Sequence, residues 1–438
     1  MTRTQEDRSR KDRDHRPSPA VNLLLILLGI VFAAVAAEVG LRIVLRESDA
    51  LNETAERSRV SLYTDDDVLL YRYRPGAQTT YTRAEFSTEV RINSLGLRDD
   101  EHTYQKPEGV FRILILGDSL MAALQVPMED SLPALLEERL NTDPRTALSG
   151  YRFEVINGAV NGYSTLDEYL FLREEGYRYE PDLVLYAFAN NDTEDIISPT
   201  RQRNGITQYA LADESGNLIL DEAGEPILIR EPYVPESALP DRSLVADRWL
   251  KDRSKLYAVI ISPALDRVRP LWRAFTNLFR RVDRPVFYEK HFAVNPEVPG
   301  YRESWQALSQ LVLMMRDRSE SVGACFASFM IPNQGAVYPE IERHYYVGFD
   351  LLSEHWDFEK QDRELADLYS THDIPYLLLL EPMRAAAEAS DEPLFFELDH
   401  HMTAAGHRAA TEAVYEWLVS AHLVPTSEGG EPTRCGQE

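Results

Sequence analysis

The stretch Phe111-Arg112-Ile113-Leu114-Ile115-Leu116-Gly117-Asp118-Ser119-Leu120 is an apolar, strand-like run that ends in a small turn presenting a serine. A serine where a buried strand gives way to a loop is held rigidly with its hydroxyl at the surface, as a nucleophile requires. Alone the turn is ordinary, because Gly, Asp and Ser are common turn residues. Its meaning depends on the segments around it.

Working outward, strands are expected near 111–116, 152–157, 182–189, 325–331 and 375–380. Helices are expected near 131–141, 165–176, 303–318, 359–371 and 404–420. Asp130 is the expected N-cap of the first helix, with Pro133 in its first turn. Such alternation implies a parallel sheet covered by helices on both faces. Open sheets of this kind gather ligands at the carboxyl ends of their strands.

Three segments could supply chemistry to Ser119. In Val155-Ile156-Asn157-Gly158-Ala159-Val160-Asn161-Gly162, a second apolar strand leads into a glycine loop, and Gly162 would let a backbone N–H approach a ligand closely. The near-continuous apolar run from Pro181 to Ala189 reads as a central parallel strand and ends in Asn190-Asn191-Asp192. The Asn191 amide is either a turn former or a donor to an oxyanion. Far downstream, Glu397-Leu398-Asp399-His400-His401 sets imidazoles beside carboxylates, the parts of a general base. Adjacent His400 and His401 do not readily converge on one ion, so a metal reading ranks below the triad.

Taken in order, these segments resemble the SGNH hydrolases, the GDSL esterase and lipase superfamily. The resemblance covers roughly residues 108 to 422. It implies a flavodoxin-like three-layer α/β/α sandwich with a central parallel sheet of about five strands and an insertion between strands three and four. It implies Ser119 as nucleophile and His401 as base, with Asp399 as the orienting acid. Ser119, Gly162 and Asn191 would then form the oxyanion hole. Two positions depart from the pattern: Ala189 stands where a glycine is usual, and Asp399 and His401 are separated by one residue instead of two. Glu397 with His400 restores the longer spacing but spoils the offset to Gly406, and ranks second. The implied activity is ester hydrolysis through an acyl-enzyme, with no cofactor and no metal. O-acyl transfer to a sugar by the same residues, or a catalytically inactive carbohydrate-binding protein, are the alternatives.

The N-terminus suggests where this chemistry happens. Arg3, Arg8, Arg10, Lys11, Arg13 and Arg16 precede an apolar run from Ala20 to Ala37. The expectation is a basic cytoplasmic segment over 1–18, a signal-anchor over 19–46, and a catalytic domain in the periplasm or outside the cell. A cleavable signal peptide is the rival. The formal net charge of −26 argues against nucleic acid as a partner. Candidate partners are an ester substrate, on a polysaccharide or a lipid, and the membrane itself; the oligomeric state is left open. Of the two cysteines, Cys325 and Cys435, both are expected to be free.

Residues 47–107 read as a small β-rich lead-in, in which Asn93 to Asp99 is expected to be a structural turn resembling one in bacterial membrane-associated SGNH proteins. Residues 193–302 break the alternation and read as the insertion. Its segment from Gln208 to Ile229 is hairpin-like, and Arg242 to Arg281 reads as largely helical. It is expected to pack on the parent domain, with a lid as the second reading. Residues 423–438 read as a disordered tail.

Overall fold

The computed structural model describes residues 19–44, 62–193, 196–198, 202–233, 253–254, 300–338 and 357–428. The chain divides into two compact units, one of Met1–Ala50 with Pro235–Arg281 and one of Leu51–Val234 with Val282–Glu438. In the first, helix α1 runs over Pro19–Val44 for 26 residues. Near its end Arg42 pairs with Glu38 at 2.7 Å, and Arg42 Nη2 donates to the Arg253 carbonyl. The side chains of residues 19–24, 26, 27, 43 and 44 lie outside the described set. Among the described residues no helix is long and apolar enough to cross a membrane. The expected span over 19–46 therefore stands in the structure only as a helix. Of the expected helical segment 242–281, only residues 253–254 are described.

The second unit opens with two hairpins. Strand β1 (Tyr63–Asp66) pairs antiparallel with β2 (Leu70–Tyr73), and β3 (Gln78–Thr82) with β4 (Ser87–Arg91). They are followed by β5 (Val110–Gly117), β6 (Arg152–Asn157) and β7 (Leu183–Ala189). The insertion contributes β8 (Gln202–Arg203), β9 (Ile206–Ala210) and β10 (Leu228–Pro232) in a separate antiparallel sheet. The chain then returns with β11 (Cys325–Ile331) and β12 (Tyr376–Leu378).

The main sheet has the order β12-β11-β7-β5-β6, parallel throughout. Every residue of β5 and β7 is buried, as their continuous apolar sequences require, while the edge strand β12 is half-buried. Each fully buried Ile or Leu of β5 contributes roughly 1.5–3 kcal/mol of burial free energy. The exception in β5, Arg112, is neutralised by Glu154 of β6 at 2.8 Å and donates to the carbonyls of Tyr104 and Tyr179.

Helices cover both faces. Those used below are α2 (Ser119–Ala122), α3 (Leu132–Thr142), α4 (Thr165–Glu174), α5 (Tyr301–Ser321), α6 (Lys360–Thr371), α7 (Leu380–Ala389) and α8 (Ala404–Ser420). Helices α3, α7 and α8 pack together, as do α4 and α5. This is the three-layer α/β/α sandwich expected. Because β5 and β7 are neighbours while the chain passes outward to β6 between them, the loops leaving their carboxyl ends diverge and open a crevice.

Four expectations need correction. Asp130 does not cap α3: it closes a 3₁₀ turn, Met128–Asp130, and Ser131 holds the N-cap position. The Ser131 hydroxyl donates to the Met128 carbonyl, so the free Leu132 N–H is taken instead by His407 Nδ1 at 3.3 Å. Burial is the main force pushing His407 down to about 3, which keeps it the neutral acceptor this cap needs. Cys325 is disulfide-bonded rather than free, and Cys435 lies outside the described residues. The expected strand 375–380 is cut to three residues by α7, which sequence reading missed. The tail is not disordered from its start, since Leu423 and Val424 are buried and the Ser427 N–H donates to the Arg145 carbonyl; residues 429–438 lie outside the described set.

Candidate active site

The Ser119 turn is built by its own sequence. Asp118 caps α2 by accepting the Leu120 N–H at 2.8 Å, which puts Ser119 at the first helical position. At Gly117 a Cβ would come within 2.9 Å of Met121 Cγ, so the strand can bend into this short helix only without one. Beneath it lies Arg98, 1% exposed, whose Nη1 donates to the Ala122 carbonyl and Nη2 to the Val126 carbonyl. Burial lowers this guanidinium to about 10, leaving it charged at neutral pH.

His401 comes from a loop tied back on itself. The Phe396 N–H donates to the His401 carbonyl and the Thr403 N–H to the Leu394 carbonyl. Thr403 then caps α8 through the Gly406 N–H, and a Cβ at Gly406 would lie 2.1 Å from the Leu394 carbonyl oxygen. The offset between His401 and Gly406 is thus a packing requirement.

The structure brings Ser119, His401 and Asp399 into one line. Ser119 Oγ lies 2.8 Å from His401 Nε2, and His401 Nδ1 lies 2.7 Å from Asp399 Oδ1 and 3.2 Å from the Asp399 carbonyl. Both acceptors select the tautomer with the proton on Nδ1, leaving Nε2 bare toward the serine. Burial disfavours the charged imidazole, but the hydrogen bond and charge of Asp399, joined by the charge of Asp118, outweigh it and hold His401 above its ordinary value. Burial likewise works against the Asp399 carboxylate, and the contacts with His401 and Gln125, with Arg83 nearby, overcome it and hold Asp399 below the usual range.

The second-ranked pair is not assembled. His400, at φ 65°, turns its Nδ1 to Gln334 Oε1 at 2.6 Å, and the Glu397 N–H donates to Glu85. The one-residue spacing works because the left-handed backbone at His400 folds His401 back over Asp399.

Gly162 and Asn191 lie in the loops that follow β6 and β7. Gly162 has φ 85°, and a Cβ there would lie 2.8 Å from the Tyr71 hydroxyl, so both backbone and neighbour demand glycine. The Tyr71 hydroxyl donates to the Asn161 carbonyl, and Tyr73 accepts the Asn161 N–H. Asn191 is exposed and its Nδ2 donates to Asp118 Oδ2 at 3.0 Å, the oxygen that also lies 3.2 Å from Ser119 Oγ. An amide nitrogen carries two hydrogens, so one remains for an oxyanion. Behind it, buried Asp192 accepts the Ala189 N–H. Burial, then the Asp118 charge, push Asp192 well above the usual carboxyl range. Ala189 has no positive φ and stands unstrained in the place of the usual glycine.

Sequence reading missed Asp118, Arg98, Gln125 and Glu85. Asp118 was visible inside the Gly-Asp-Ser-Leu turn; the other three reach the site only through the fold. The expected turn at Asn93 is present, with its side chain accepting the Leu95 and Leu97 N–H groups. It delivers Arg98 to the Ser119 turn, and Asp99 to the Asn157 N–H at 2.8 Å.

Sheet order, motif order and the Ser119–His401–Asp399 line together have the form of an SGNH hydrolase, the class that the motifs resemble. No family profile matches the chain. An arylesterase of Vibrio mimicus is 37% identical over 81 residues, which are 18% of this chain and 38% of that protein. The chain thus matches well under half the length of this curated relative. Among solved structures, TesA is 13% identical, with 70% of this chain and 97% of that one covered at a TM-score of 0.32. A lipase/acylhydrolase from Enterococcus faecalis is 11% identical, covering 71% and 96% at 0.34. An acetyl xylan esterase is 10% identical, covering 70% and 98% at 0.34.

Proposed function

We propose that this chain is a serine esterase that cleaves an acyl ester through an acyl-enzyme. The observation that carries the reading is the unbroken contact from Ser119 Oγ through His401 to Asp399, at 2.8 and 2.7 Å. His401 Nε2 takes the hydroxyl proton as Ser119 Oγ bonds to the ester carbonyl carbon, and the carbonyl electrons move onto oxygen. The backbone N–H groups of Ser119 and Gly162 and the Asn191 amide donate to that oxyanion. As the carbonyl reforms, the ester C–O bond breaks and the departing alcohol takes the proton from His401. Water then repeats the sequence, releasing the acid and restoring Ser119.

The same reading makes the enzyme an envelope protein, anchored by α1 with residues 1–18 in the cytoplasm. Two features support it: the basic leader and the exposed apolar side chains Leu28, Ile30, Val31, Phe32 and Val35 of α1. The Cys325 disulfide supports an oxidising compartment. Acyl groups on cell-surface carbohydrate or lipid are then the substrates within reach.

The arylesterase relative makes p-nitrophenyl acetate a suitable first substrate. The wild-type chain should hydrolyse it and react with a fluorophosphonate at Ser119. Ser119→Ala should lose the label and lower kcat on the order of 10⁶-fold with the fold intact. Turnover in that variant equal to the wild type would falsify the mechanism. Reporter fusions test topology: an exported C-terminal reporter supports the anchor, and a cytoplasmic one overturns it.

A further inference from the structure

Three successive backbone N–H groups of the base loop point at one side chain from a distant part of the sequence. Glu397 N–H donates to Glu85 Oε1 at 2.8 Å, and Leu398 and Asp399 N–H donate to Glu85 Oε2, both at 2.9 Å. Consecutive N–H groups converging in this way form an anion-binding concavity, and here the anion is the protein's own carboxylate. Glu85 sits in the turn that joins β3 to β4. Beside it, the Phe86 ring packs on Phe396 with centroids 5.2 Å apart, and Thr88 Oγ donates to the carbonyl of Gln125. Gln125 and Arg83 in turn act on the Asp399 carboxylate.

We propose that Glu85 is a positioning residue of the Ser119–His401–Asp399 site, fixing the backbone of residues 397–399 so that the Asp399 carboxylate meets His401 Nδ1. Asp399 is then held at both ends, by its N–H on Glu85 and by Oδ1 on His401. The loop is closed between Phe396 and His401, and its exposed tip at Leu398 is held by Glu85. The lead-in hairpin therefore completes the acid–base half of the site. This role rests on the esterase reading for its effect on turnover, but not for its effect on the His401 imidazole.

The test uses the full-length chain with Glu85→Ala and Glu85→Gln. Turnover of p-nitrophenyl acetate is followed across pH, and the His401 ring is titrated by NMR. The charged and titratable groups acting on His401 are Asp399 and Asp118, with His400 and His407 nearby. Glu85→Ala should lower kcat by up to about 100-fold with KM unchanged. The His401 titration and the acidic limb of the rate profile should both move to lower pH, because the imidazole loses its carboxylate. Glu85→Gln, whose single amide oxygen can still accept the Leu398 and Asp399 N–H groups while its NH2 cannot accept that of Glu397, should recover part of both. In an Asp399→Asn background the Glu85 change should have little further effect.

If Glu85→Ala does not fold, Glu85→Asp carries the same test, since it keeps the charge but withdraws it by one methylene. An unmoved His401 titration, whether or not kcat falls, overturns the proposal. A wild-type chain inert to both p-nitrophenyl acetate and fluorophosphonate refutes the esterase reading, while the His401 titration still decides the role of Glu85.

Discussion

Two β-rich additions join the parallel sheet, the lead-in of residues 62–107 and the insertion strands of residues 202–233, and they differ in what they touch. From the lead-in, Tyr71 and Tyr73 hold Asn161, Arg98 holds the Ser119 turn, and Glu85 holds the Asp399 loop. The insertion strands attach elsewhere. Glu225 accepts from Tyr169 and Arg173 of α4, the Leu218 N–H donates to Gln310 of α5, and Gln208 Nε2 donates to the Val68 carbonyl. The lead-in is thus part of the site although its sequence carries no catalytic motif. The insertion strands follow directly on the Asn191 loop yet rest on α4, α5 and the β1–β2 hairpin, through Glu225, Leu218, Gln208 and Asn204. Nearness in sequence to a site residue is a poor guide to involvement in the site.

Substitutions in the site itself set the scale for testing this contrast. After Ser119→Ala, Asp399→Asn should have the largest effect, lowering kcat by up to about 10⁴-fold. The Asp399 carbonyl at 3.2 Å from Nδ1 survives the change, so part of the tautomer control survives with it. The sign of the pH effect follows from His401, which must be neutral to act and is held above its ordinary value of about 6.5. Wild-type kcat/KM should therefore fall as pH drops through a midpoint above about 6.5. Removing the Asp399 charge should shift that midpoint downward even as the plateau falls. A lower plateau with an unmoved midpoint would separate Asp399 from His401. Next, Asn191→Ala removes one proposed oxyanion donor and should cost roughly 100- to 1,000-fold in kcat with little change in KM. An unchanged rate would leave Asn191 as a turn former.

Arg98→Met carries the comparison into the lead-in. The variant keeps the volume of the stem but orphans the buried carbonyls of Ala122 and Val126, at about 1–3 kcal/mol each. Urea unfolding should show a loss of roughly 2 kcal/mol or more, and kcat should fall as α2 loosens around Ser119. Lost stability with full activity would reduce the lead-in at Arg98 to a scaffold.

The sheet was legible because fully buried parallel strands read as unbroken apolar runs, as in 111–116 and 182–189. The site motifs were legible because Ser119, Gly162, Asn191 and His401 each sit where a strand or loop meets a helix. What escaped depends on contacts made across long stretches of chain. Glu85 and Arg98 look like ordinary surface charges until the hairpins fold over the carboxyl edge of the sheet. The cap of α3 was misplaced for the same reason, because His407 lies 275 residues from the Leu132 it serves. Helix α7 was lost because its apolar start, Leu379-Leu380, runs on from β12 without a breaker. The disulfide of Cys325 escaped because two cysteines make no pattern.

The smallest effect is expected in the insertion, at Glu225→Gln. Glu225 accepts from the Tyr169 hydroxyl at 2.5 Å and from Arg173 Nη1 at 3.2 Å, and its side chain is 24% exposed. The amide oxygen of glutamine keeps an acceptor for Tyr169 and loses only the charge facing Arg173. A partly exposed pair of this kind contributes at most about 1 kcal/mol. Stability should drop by less than that, with kcat, KM and the acidic limb all superimposable on the wild type. A change in kcat at Glu225 comparable to that at Arg98 would mean that the insertion strands reach the reacting groups through α4, whose first residue, Thr165, donates to the carbonyl of Asp192 beside Asn191. Such a result would erase the distinction between the two additions and make the insertion a second support of the oxyanion side.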